Sequence, residues 1–129
     1  MPDEPPTHAP SHDVAKLDRV SAFLAGVLLG AMVGVVGTVF HRTSWGPVPL
    51  GVLASLTLVV TGVVFMRALD GRLAAAVFAL AALAGIAVLA VVTPGGDRIL
   101  LADGPGLSWA GGAVVLAGAG LALPSRWIE

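Results

Sequence analysis

From Val20 to Phe40 the chain carries neither a charged side chain nor a proline. As an α-helix this run rises about 31 Å, enough to cross the ~30 Å hydrocarbon core of a bilayer. Within it, glycines stand at Gly26, Gly30 and Gly34, four residues apart, and Gly37 follows three residues later. At 3.6 residues per turn those spacings hold the glycines on one slowly drifting face. The result is a groove without side chains, lined by Val and Leu neighbours, into which another helix can approach closely. The feature implies a helical membrane protein with a packing seam.

Composition supports that class. Hydrophobic residues make up 57% of the 129 residues and charged residues 12%, about half the soluble average. A net charge of −1 argues against nucleic acid, which needs a clustered basic face. The chain has no cysteine, which removes disulfides and thiol chemistry from consideration. The first run does not read as a cleaved signal peptide. Its apolar core is too long, Asp3, Glu4, Asp13 and Asp18 precede it, and no A-x-A-like site follows.

Taken in order, residues 1–19 read as a Pro-rich disordered tail and a juxtamembrane lead-in. Pro2, Pro5, Pro6 and Pro10 leave little to bury, and Ser11–Arg19 has the pattern of a short helix lying on the headgroups. Residues 20–128 read as an all-α bundle of four transmembrane helices with short loops. The expected spans are 20–40, 50–66, 73–92 and 107–123. Gly46, Pro47 and Pro49 interrupt the first connection, and Asp70-Gly71 makes the second a tight turn. A connection that short makes spans two and three antiparallel neighbours. Ser108 is the expected cap of the last span. Trp45, Trp109 and Trp127 are the expected interface anchors.

With four spans, Lys16, Arg19, Arg67, Arg72 and Arg126 share one side, against Arg42 and Arg98 on the other. This bias places both termini in the cytoplasm.

Two sets of residues stand out. The helix-packing set is Gly26, Gly30, Gly34 and Gly37 with Gly111, Gly112 and Gly118. It reads either as packing within the bundle or as a subunit interface. The second set, His41, Arg42, Trp45, Asp97, Arg98 and Asp103, falls on the outer side. It reads either as ordinary solvated loops or as an anion or headgroup site, with Arg42 paired to Asp97 across the mouth. Ser55, Thr57 and Thr61 offer either interhelical hydrogen bonds or a polar path. His8 and His12 lack both scaffold and further ligands for a metal. No Asp, Glu, Lys, Arg or His falls inside an expected span, whereas proton-coupled carriers depend on such groups. No cofactor motif is present.

The Thr93–Asp97 turn (TPGGD), the apolar Ile99–Leu101, the Gly104–Trp109 entry to the last span and the basic Pro124–Arg126 end resemble a family of short, uncharacterised four-span proteins of high-GC Gram-positive bacteria. The resemblance covers mainly the C-terminal third. It implies a multi-pass protein of the bacterial plasma membrane and supplies no catalytic residues. Together these readings lead to a non-catalytic accessory or structural subunit, with membrane lipids and a membrane-protein partner or further copies of itself as neighbours. The alternatives are an oligomeric transporter or channel component and an outer-face lipid-binding or enzymatic role.

Overall fold

The structure is a computed structural model that describes residues 11–92 and 103–127. Within them the chain is all-α. Helix α1 spans His12–Phe40, α2 spans Leu50–Val91 and α3 spans Gly104–Ala122, followed by a 3-10 turn at Ser125–Trp127. Each of the three helices is long and apolar enough to cross a membrane. Four separate spans were expected. Among the described residues there are three such helices, because the second and third expected spans fall within α2.

Helix α2 is not straight. Asp70 (φ −143°, ψ 25°) and Gly71 (φ 77°, ψ −162°) leave helical geometry in its middle. The Gly71 conformation is one that only glycine adopts without strain. The break reverses the chain. Gly62 and Phe78 would lie ~24 Å apart along a straight helix. Instead, a Cβ on Gly62 would sit 2.1 Å from Phe78 Cζ. The halves 50–69 and 72–91 therefore pack side by side. The first half continues past the expected end at Met66, so Arg67 belongs to the helix.

The Ser11–Arg19 lead-in is not a separate surface helix. It forms the first turns of α1, which runs unbroken from His12. At the other end, α3 begins at Gly104 rather than Leu107. Its N-cap is Asp103, whose carboxylate accepts from the Gly106 N–H at 3.0 Å, and Pro105 occupies the first turn. That pairing satisfies one orphan amide, and proline costs nothing where no intrahelical donor is needed. Ser108 is exposed one turn further on and does not cap.

Helix α2 is central: α1 and α3 both pack against it. The core gathers Val59, Val63 and Met66 from its first half, Ala75, Phe78 and Ala79 from its second, and Trp109, Ala113 and Ala117 from α3. The outer surface remains apolar. Leu28, Leu80 and Val115 are each more than two-thirds exposed, a pattern suited to lipid and costly in water.

The ends of the bundle are chemically distinct. One end collects the start of α1, the Asp70–Gly71 break and the end of α3, where Arg67 and Arg72 both reach the Leu123 carbonyl. The other end holds the 41–49 connection and Asp103. There Trp45 and Val48 exchange backbone hydrogen bonds of 3.0 and 3.2 Å across a tight turn, with Gly46 supplying the positive φ of 59°. Gly51 lies so close under this turn that a Cβ would stand 1.9 Å from the Phe40 carbonyl oxygen.

Candidate functional site

The seam of α1 is filled from within the chain. A Cβ on Gly30 would lie 2.2 Å from the Phe78 carbonyl oxygen, and one on Gly34 2.2 Å from that of Ala82. Backbone meets backbone here, which only glycine permits. Gly26 has more room, its nearest neighbour being Val77 Cγ1 at 3.3 Å. At Gly37 the neighbour is an aromatic ring: a Cβ would fall 2.5 Å from Trp109 Cη2 and Cζ2.

The glycines of α3 divide. Gly112 faces Leu56, whose Cδ2 lies 2.9 Å from the position of a Cβ, whereas Gly111 and Gly118 have nothing within 4 Å among the described residues. Of the two readings of this set, packing within the bundle finds no contact at Gly111 or Gly118 among the described residues. Gly120 packs inside, where a Cβ would stand 2.7 Å from Val63 Cγ1.

A buried polar cluster lies at the Asp103 end. Trp109, expected as an interface anchor, is fully buried within the protein. Its indole Nε1–H donates to Thr38 Oγ1 at 3.1 Å, and the Thr38 hydroxyl donates to the Gly34 carbonyl at 2.7 Å. Tryptophan is buried readily when its N–H finds an acceptor, and Gly37 makes room for the ring. Ser55 reaches toward the Gly37 carbonyl at 3.4 Å.

His41 belongs to this cluster and not to an outer loop surface, being 1% exposed. Its Nδ1 lies 2.5 Å from the Thr38 carbonyl. A carbonyl only accepts, so Nδ1 carries the proton. Nε2 is buried with no hydrogen-bond partner among the described residues.

Two further members of the expected outer cluster meet. Arg42 pairs with Asp103 through a salt bridge in which both side chains are about two-fifths exposed; the expected pairing with Asp97 falls on a residue outside the described ones. Asp97 and Arg98 lie outside the described residues, as do His8 and the TPGGD turn. Trp45 is 80% exposed. The Gly106 amide and the Arg42 guanidinium, opposed by desolvation, hold the Asp103 carboxyl below its ordinary range.

Arg67, which follows the second expected span, is instead part of α2 and belongs to neither candidate set. It is 6% exposed, and it donates to the carbonyls of Gly120 at 2.6 Å, Leu121 at 3.3 Å and Leu123. These are the orphan carbonyls of the α3 C-terminus, where the helix dipole also favours a cation. The only signal in the sequence was its position three residues before Asp70-Gly71.

The hydroxyls do not form one path. Ser55 is buried, while Thr57 and Thr61 face outward, and Thr57 bonds back to Leu53 O at 2.8 Å. Among the described residues no three His, Cys, Asp or Glu side chains gather as a metal site.

The fold defines an all-α protein with three helices suited to a membrane. No family model, curated protein or solved structure matches the chain.

Proposed function

We propose that this chain is a non-catalytic accessory or structural subunit of a larger membrane assembly, and that it crosses the bilayer four times because α2 crosses twice. The length of α2 supports the double crossing. Its 42 residues would rise ~63 Å, twice the hydrocarbon thickness. The break puts Arg67, Asp70 and Arg72 at its midpoint, which a single crossing would strand in lipid. The basic-residue bias then supports cytoplasmic termini, and the resemblance supports a bacterial plasma membrane.

The observation that carries the subunit reading is the open face at Gly111 and Gly118. They stand seven residues apart on one side of α3, with nothing within 4 Å of a Cβ on either among the described residues. On the opposite side of α3 the bundle buries Gly106, Ala113, Ala117 and Gly120. A small-residue face left toward lipid suits close approach by another helix. The transporter reading loses support because its hydroxyls diverge.

The test is gentle extraction of Gly111→Leu and Gly118→Leu variants, followed by identification of co-purifying chains. Both should lose a stoichiometric companion held by the native chain while keeping its melting temperature. Robust substrate flux from the purified chain in liposomes, abolished by Thr57→Val or Thr61→Val, would overturn the reading.

A further inference from the structure

The packed stripe of α1 ends at Gly26, but the helix face that carries it does not. Going back toward the N-terminus it continues through Phe23, Arg19, Lys16 and His12, at spacings of three and four, so the same helix face is kept. Clearance against the 72–91 half of α2 grows along that stripe. It is 2.2 Å at Gly34 and Gly30, and 3.3 Å at Gly26. Beyond Gly26 the two elements part into a groove of about 470 Å³, a size typical of small-molecule sites.

The groove has a gradient of polarity. Its mouth carries His12, Lys16 and Arg19 from α1 and Asp70 from α2, and its floor is apolar, with Phe23 and Val77. With His12 neutral, the mouth carries a net charge of +1. Asp13 and Asp18 lie on other faces of α1 and do not line it. Cation and hydrocarbon are thus stacked along the direction in which headgroup and acyl chain are stacked in a leaflet.

We infer that this groove binds one anionic phospholipid from the leaflet on the N-terminal side. Its phosphate sits between Lys16 and Arg19, and an acyl chain lies on Phe23 and Val77. Basic pockets between membrane helices select anionic headgroups in this way.

Native mass spectrometry tests the site. The full chain, in detergent, is equilibrated with equimolar phosphatidylglycerol and phosphatidylcholine of identical acyl chains. One phosphatidylglycerol should be retained in several-fold preference. Lys16→Gln together with Arg19→Gln should erase that preference, weakening retention by roughly tenfold or more. Val77→Trp, which fills the floor, should lower retention of both lipids. Equal retention of the two lipids by the native chain would overturn the inference without reference to any variant. So would displacement by glycerol phosphate as effective as by the intact lipid, or a lipid-free dimer that closes the groove. A folded double variant that kept the preference would also overturn it.

Discussion

Trp109 donates its indole N–H to Thr38 Oγ1 across 3.1 Å, joining α3 to α1 through the buried interior. Thr38→Val keeps the shape and leaves the indole donor orphaned. Hydrogen bonds between membrane helices average only about 0.6 kcal/mol, but an orphaned buried donor costs about 1–3 kcal/mol. Trp109 is enclosed by protein, so the second figure governs, and Thr38→Val should cost about 1–2 kcal/mol in reversible unfolding. Adding Trp109→Phe should cost less in that background than in the native chain. Strict additivity would mean that the bond is not formed.

The seam makes a sharper distinction than glycine content alone. A methyl at Gly30 or Gly34 would strike a carbonyl oxygen in α2, and backbone cannot swing aside. Gly30→Ala should therefore destabilise by about 1–3 kcal/mol, as overpacking does elsewhere, and Gly30→Leu by more. Gly111→Ala, with open space around it, should leave the melting temperature unchanged or raise it. Leu29→Ala, on the exposed side, should cost less than Gly30→Ala.

Arg67 fastens the end of α3 to α2. Arg67→Met keeps the apolar stem but leaves the Gly120 and Leu121 carbonyls without their charged donor, and Leu123 with Arg72 alone. A loss of about 1.5–3 kcal/mol is expected, the range for hydrogen bonds to charged groups. Arg67→Lys should recover only part of it, because one ammonium cannot span carbonyls that the planar guanidinium reaches together. Complete rescue by lysine would point to charge alone.

Asp103 both caps α3 and pairs with Arg42. Its carboxyl is held below the ordinary range when folded, so its contribution is complete above the unfolded pKa of about 3.9. It is lost as the pH falls through the lowered folded value. At neutral pH, melting in micelles should rank native above Asp103→Asn, which keeps a cap, and Asp103→Asn above Asp103→Ala. Native and Asp103→Asn should converge in strong acid. A gap between them that stayed constant down to strong acid would contradict the assignment.

Much of this was legible in the residues. The 4-4-3 spacing of Gly26, Gly30, Gly34 and Gly37 marks the buried face of α1, which those glycines and Thr38 make up. The Asp70-Gly71 dipeptide marks the reversal. What was not legible were long-range partners. Trp109 reads as an interface anchor until its stripe is followed through Gly106, Ala113, Ala117 and Gly120, all buried. Small residues around a lone tryptophan leave it a berth. Arg67 and Arg42 choose carbonyls and carboxylates more than fifty residues away, and no local pattern encodes that choice. Asp103 was legible in principle, as an acid two residues before a proline, but Leu107 drew the helix start too late.

The double crossing of α2 is the claim on which the rest depends, and single-cysteine labelling with an impermeant thiol reagent tests it directly. The native chain has no cysteine, so there is no background. Ser44→Cys should react from outside intact cells. Asp70→Cys and Ser125→Cys should react only in inside-out vesicles, at comparable rates. An Asp70→Cys variant shielded from both sides, with Ser125→Cys reactive from one, would place the break within the hydrocarbon and contradict four crossings.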